Sequence, residues 1–224
     1  MNKFTIGTGY YESSPYSRKL FEHCLKLIHD QSIAPYDLIT LSCGGASPPF
    51  YFGQSVELAG NLGHVENLLG VREPKKDYAW CGWSVTILSL ALLAYQNETD
   101  FIFVEQDVLL FGTVFERMYE EIGDAPVIYG TCAVQPAANS LFMVRHAYIP
   151  QFVQLYLSLG TDSAKTNLPE MKFDRLGKKY GWKTFRFGYD RDRPAKLEDL
   201  KAGPCYIQQV TPDELARLKE FGMV

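Results

Sequence analysis

The sequence predicts an α/β protein, a three-layer α/β/α sandwich with a mostly parallel central sheet. Three observations carry that expectation. Strand and helix patterns alternate over the first 110 residues, as βαβ units require. Residues 101–104 (FIFV) form an apolar run without polar alternation, as in a strand buried on both faces. Small-residue turns, Gly7-Thr8-Gly9 and Cys43-Gly44-Gly45, close the first two strands.

Taken in order, residues 4–9 read as the first strand. Ser13 or Ser14 caps a helix with Pro15 in its first turn, and Leu20, Phe21, Cys24, Leu25, Leu27 and Ile28 form its apolar face. Residues 37–42 (DLITLS) are the second strand, and a loop rich in Gly, Pro and aromatics follows over 44–53. Residues 80–96 form a long apolar helix feeding the strand at 101. Strands at 125–129 and 140–144, helices at 148–159 and 170–180 and a strand at 182–187 complete the body. A short helix over 213–221, opened by Thr211-Pro212, lies in a C-terminal tail. The expected organisation is one catalytic domain over 1–195, with a tail over 196–224 whose helix packs on it.

Composition narrows the class. The chain has 224 residues, 46% of them hydrophobic and 14% aromatic, enough to bury a sizeable core. A net charge of −4 argues against a broad nucleic-acid-binding surface. Five scattered cysteines without CxxC spacing read as reduced core thiols. The first residues run straight into a strand without a signal-peptide pattern, and no apolar run is long enough to span a bilayer. A cytoplasmic protein without a membrane span is expected.

Chemistry concentrates at Glu105-Gln106-Asp107, where the buried strand is about to leave the sheet. In extended chain residues i and i+2 point to one face, so the two carboxylates can converge, and a divalent cation with oxygen ligands suits that pair. The bland reading is a helix cap or a turn former at a strand end.

The layout of strand, helix, strand with small-residue loop, Asn61-Leu62-Gly63, helix, and then FIFVEQD resembles that of GT-A-fold glycosyltransferases, most nearly the inverting enzymes of the family-two type. The resemblance spans roughly residues 4–187 and implies a Rossmann-like GT-A domain. In that family a DxD signature holds a divalent metal and the diphosphate of a nucleotide-sugar. Here it stands as Glu105-Gln106-Asp107, with Glu in place of the first Asp. The resemblance implies Mn²⁺ or Mg²⁺ on Asp107 and Glu105, with Gln106 on the nucleotide-sugar.

A second match is Pro169-Glu170-Met171-Lys172-Phe173-Asp174-Arg175-Leu176 followed by Gly181, similar to the family's EDxxFxxRLxxxG element. It implies that Glu170 is the catalytic base, although an acid in the first turn after Pro169 also suits the helix macrodipole. Thr8, Tyr10, Tyr11, Gly44 and Asn61 fall where the family holds its nucleotide, with Tyr10 or Tyr11 available to stack on the base. Asn139-Ser140-Leu141-Phe142 resembles the segment that shapes the acceptor side, and equally a plain core strand. Arg191 and Arg193 are expected to clamp the diphosphate, or else to pair with Asp190 and Asp192. His146 is a possible late metal ligand, with a structural role as its alternative.

The function expected from the resemblance is transfer of a sugar from a UDP- or GDP-linked donor to a glycan or glycoprotein hydroxyl, inverting and metal-dependent. A sugar-nucleotidyltransferase would need a basic Gly-rich loop after the first strand, and Gly7-Thr8-Gly9-Tyr10-Tyr11-Glu12 has no basic residue. A haloacid-type phosphatase would carry its acidic pair on the first strand, not the fourth. A non-catalytic sugar- or nucleotide-binding module of the same fold stays as the alternative.

Overall fold

Strands β1 (Phe4–Tyr10) and β2 (Tyr36–Ser42) run parallel, in register from Phe4 opposite Tyr36 to Tyr10 opposite Ser42, and set the frame of the sheet. The computed structural model describes residues 4–10, 12–31, 36–42, 55–58, 82–132, 137–158, 169–189, 193–194 and 196–224. Among these residues seven strands form the main sheet. β3 (Ser55–Leu58) pairs parallel with β2, and β4 (Asp100–Val104) pairs parallel with β1 on its other side. Beyond β4 lie β6 (Val127–Gly130), β7 (Ala138–Val144) and β8 (Lys183–Phe185), in the spatial order β3-β2-β1-β4-β7-β6-β8. Only β7 runs against the rest, antiparallel to both β4 and β6. A second sheet joins β5 (Leu109–Phe111) to β10 (Cys205–Ile207) and β9 (Gly188–Tyr189).

The sandwich follows from strict alternation along the central strands. Ile6, Ile102, Val104, Leu141 and Met143 enter one core cluster, with Phe21, Cys24 and Leu25 of α1 (Pro15–His29) and Phe115 and Met118 of α3 (Val114–Ile122). Phe101, Phe103, Phe142 and Val144 point the other way. They meet Leu90 and Ala94 of α2 (Gly82–Gln96), Phe152 and Tyr156 of α4 (Ile149–Ser158), and Phe173 and Leu176 of α5 (Pro169–Tyr180). Each helix buries one stripe and the strands bury both faces, which explains the unalternating sequence of residues 101–104.

Local chemistry fixes the helix ends. Ser14 caps α1: its hydroxyl accepts the Ser17 N–H at 3.1 Å, while Ser17 Oγ accepts the Ser14 N–H at 3.0 Å. α5 ends on Gly181 at φ +67°, and the Trp182 N–H reaches back to the Gly177 carbonyl at 3.0 Å, a left-handed cap that favours glycine.

One expectation changes here. Gly7-Thr8-Gly9 lies inside β1, which continues to Tyr10, so it is not a turn. Its glycines serve packing: a Cβ on Gly7 would stand 2.9 Å from Leu90 Cδ1, and one on Gly9 2.9 Å from Thr86 Cγ2, so α2 settles directly on β1. The segment 196–224 carries β10, a 3₁₀ turn at Leu197–Ala202 and α6 (Pro212–Glu220). Leu200, Tyr206, Ile207, Leu215 and Leu218 belong to the same buried cluster as β1 and α1.

Candidate active site

β4 delivers the acidic pair to the carboxyl end of the parallel strands, the end at which open α/β sheets bind ligands. The chain leaves β4 in a tight turn, with the Val108 N–H donating to the Glu105 carbonyl at 3.1 Å. The turn is anchored sideways on β7, where the Glu105 N–H donates to the Ser140 carbonyl at 2.8 Å. Glu105, Gln106 and Asp107 are all partly exposed, while Val104 and Val108 on either side are fully buried. Asp107 Oδ2 accepts the backbone N–H of Gln209, 102 residues later, at 3.3 Å.

The neighbours of Asp107 register its charge. Burial first, then the carboxylates of Glu214 and Asp107, push the Tyr16 phenol up to about 12, and its hydroxyl donates to the Val210 carbonyl at 2.6 Å. The Cys24 thiol, fully buried and within 3.6 Å of the Glu105 carbonyl, is pushed up by burial and then by Asp107. That thiol stays protonated and is no nucleophile.

On the adjoining strand, Asn139 is 5% and Ser140 1% exposed, and among the described residues Asn139 Nδ2 and Ser140 Oγ find no hydrogen-bond partner. Buried polar side chains without partners are uncommon in folded proteins. The sequence pointed to this segment only as acceptor-side or plain core.

Glu170 opens α5. Because α5 leads through Gly181 into β8, which runs parallel to β6, its first turn stands at the same end of the sheet as the Glu105–Asp107 turn. Glu170 is half-buried there. The other parts of the motif that pointed to it have structural work of their own. Phe173 is fully buried against Phe142, at 4.8 Å between centroids, and Gly181 is the helix cap.

Several expected binding residues are occupied elsewhere. The Tyr10 ring is 1% exposed and stacks on Phe21 at 4.7 Å, and its hydroxyl donates to Glu12, so no ring face is left for a nucleobase. Thr8 is fully buried in β1. Arg193 does not face open solvent as a diphosphate clamp would. It pairs with Glu214 at 2.9 Å and donates to the carbonyls of Tyr189, Gln208 and Gln209 at 3.1, 2.7 and 3.3 Å. His146 is at the wrong end of the sheet. β7 runs antiparallel to β4, and the His146 N–H donates to Asp100 Oδ1 at 2.7 Å, at the start of β4. Tyr11, Gly44, Asn61 and Arg191 lie outside the described residues.

Two carboxylates two positions apart on one turn are an oxygen-only donor set, which fits a hard divalent cation. Among the described residues no group of three His, Cys, Asp or Glu side chains comes together to hold a metal ion. Among the described residues no helix is long and apolar enough to cross a membrane.

No protein-family model matches the chain, and no curated protein matches it significantly in sequence. Solved structures do. The chain is similar to a glycosyltransferase involved in the glycosylation of the major capsid of PBCV-1, with TM-score 0.52 and 14% identity over 99% of each chain. It is similar to mouse xyloside xylosyltransferase 1 in its apo form, with TM-score 0.53 and 9% identity over 92% of this chain and 97% of that one. It is also similar to the galactosyltransferase LgtC in complex with donor and acceptor sugar analogs, with TM-score 0.50 and 8% identity over 94% and 87%. Identities this low speak to architecture, and the architecture of this chain is the GT-A fold of glycosyltransferases.

Proposed function

We propose that the protein is a glycosyltransferase that moves a sugar from a nucleotide-diphosphate sugar to an acceptor hydroxyl, with inversion and with Mn²⁺ or Mg²⁺. The observation that carries this reading is the acidic turn at the carboxyl end of β4 with the unpartnered buried Asn139 and Ser140 beside it. The names of the three similar structures, all glycosyltransferases, support sugar transfer as the chemistry.

In this reading Asp107 would hold the metal, with Glu105 assisting it. The metal, when bound, neutralises charge growing on the departing diphosphate. Gln106 and Asn139 offer amide groups to the donor's hydroxyls or phosphates. Glu170, opening α5 at the same end of the sheet, takes the acceptor hydroxyl's proton as the acceptor oxygen attacks the anomeric carbon from the face opposite the leaving group. UDP- or GDP-linked donors and a glycan or glycoprotein acceptor are the substrates proposed.

The test is release of UDP or GDP from their sugars in the presence of Mn²⁺ and a glycan acceptor, with an EDTA control. Metal-dependent turnover that Asp107→Ala abolishes is the expected result. Metal-dependent nucleotide binding that survives in Asp107→Ala at full strength contradicts the metal assignment. Binding without any turnover favours the non-catalytic module.

A further inference from the structure

Arg193 sits away from the acidic turn, yet its hydrogen bonds converge on a segment that touches Asp107. Its guanidinium is only 16% exposed and spends its donors on three carbonyls and one carboxylate: Tyr189 at the end of β9, Gln208 and Gln209 just after β10, and Glu214 in the first turn of α6. The Gln208–Gln209 segment needs such holding. Gln209 stands at φ +55°, one of two non-glycine residues at positive φ among those described, a conformation that costs energy unless its surroundings impose it. In that conformation its N–H points at Asp107 Oδ2. Glu214 is itself fixed, because its Oε2 accepts the Thr211 N–H at 2.9 Å while its own N–H donates to Thr211 Oγ1 at 3.2 Å.

We propose that Arg193 is a positioning residue for Asp107: by gripping the Gln208–Gln209 segment against α6, it holds the Gln209 N–H on the carboxylate and fixes how that carboxylate faces its cation. This inference rests on the reading of Asp107 as the metal ligand. It gives the segment after β10 a part in the site at the end of β4. Arg suits the task and Lys does not, since only a planar fork reaches three carbonyls and a carboxylate at once.

The experiment is a Mn²⁺ titration of the full chain followed by electron paramagnetic resonance, with Asp107→Asn, Arg193→Gln, Arg193→Lys and the Asp107→Asn/Arg193→Gln double variant. Partners that orient a metal ligand alter affinity by about tenfold or more when removed. We expect a loss of that size in Arg193→Gln and a larger one in Asp107→Asn, with the double variant no weaker than Asp107→Asn alone. Arg193→Lys keeps a cation opposite Glu214 and so guards against unfolding, and it is expected to bind Mn²⁺ as weakly as Arg193→Gln. Amide exchange at Gln209 gives a readout without metal: it should quicken in both Arg193 variants. If Asp107→Asn weakens Mn²⁺ binding and both Arg193 variants bind normally, the positioning role is wrong and the metal site stands. If losses in the double variant add, Arg193 acts on stability and not through Asp107. If Asp107→Asn binds Mn²⁺ as the parent does, the metal reading falls and this inference with it.

Discussion

Gly177, in the last turn of α5, lies directly against the phenol of Tyr129 on β6. A Cβ at Gly177 would collide with the Tyr129 hydroxyl and stand 2.8 Å from Cε1 and 2.9 Å from Cζ. The absence of a side chain lets α5 sit down on the sheet and carries Glu170 with it. In an exposed helix Gly→Ala stabilises by about 1 kcal/mol, so the intrinsic preference and the contact oppose each other. Overpacking of a buried site costs about 1–3 kcal/mol, and the contact should win. Gly177→Ala is expected to lower stability in urea titration by up to about 2 kcal/mol net. Combined with Tyr129→Leu, it should lose less than the sum of the two single changes.

Buried Asp100 and half-buried Arg145 form an ion pair at the other end of the sheet. Asp100 is 4% exposed at its side chain, receives Arg145 at 3.0 Å and the His146 N–H at 2.7 Å, and the guanidinium lies 4.5 Å over the Tyr119 ring. Removing one partner strands a buried charge, which costs about 3–5 kcal/mol. Arg145→Met should therefore lower stability by about 3 kcal/mol. Turnover per folded molecule should be unchanged, because β4 separates this pair from the acidic turn. A fall in turnover without a fall in stability would contradict that placement.

Local pattern specifies about half of the fold, and that half is legible in the sequence. β1, α1, β2, α2 and β4 are a run of parallel βαβ units, each helix amphipathic or wholly apolar, and β4 is continuously hydrophobic over residues 101–104. β3 was not legible, nor were β5, β9 and β10, strands of two or three residues, and the pairing of β5 with β10 joins positions nearly a hundred residues apart, as Tyr206 opposite Leu110 does. No periodicity reports so distant a partner. α3 was missed as well, although Val114, Phe115, Met118 and Ile122 stand at helical spacing. For the site, topology decided. The acidic pair was evident because carboxylates at the end of an apolar strand are conspicuous. The direction of β7 was not evident, and reversing it moves His146 from one end of the sheet to the other. Tyr10 and Arg193 were misread for one reason: an amphipathic side chain looks the same in sequence whether a ligand or the protein itself takes its polar end.

Stability should fall at both pH extremes through named groups. Burial pushes Glu214 up, but the Thr211 N–H and Arg193 outweigh it and hold the carboxyl below its ordinary 4.5. A carboxyl depressed in the folded state stabilises fully above about pH 4.5 and loses that contribution as pH falls through its folded value. Glu214→Gln should flatten the acid limb of a stability-versus-pH curve measured by urea denaturation.

On the alkaline side, burial pushes the Tyr10 and Tyr16 phenols up to about 12 from 10.0. The unfolded chain releases these protons near pH 10 and the folded chain near 12, so stability declines between the two. Absorbance titration of the folded protein should show phenols ionising late, with one fewer in Tyr16→Phe. That variant also loses the bond to the Val210 carbonyl, at a cost of about 1 kcal/mol.

Glu170→Gln separates catalysis from helix capping. The motif spacing that singles out Glu170 also includes Phe173 and Gly181, which the fold needs as core and cap, so the match alone does not fix its role. Two physical readings predict different losses. As an acid in the first turn of α5, Glu170 is worth about 0.3–1 kcal/mol to stability through the macrodipole, and its removal leaves turnover intact. As general base, its replacement by Gln should lower kcat by about 10²–10⁴ while donor and Mn²⁺ binding hold, since the amide fills the same volume but takes no proton. Asp174, one turn along the helix, is held by Lys178 at 2.7 Å and is the natural comparison: Asp174→Asn should leave kcat alone. Equal kcat values for the two variants would place the base elsewhere than on α5.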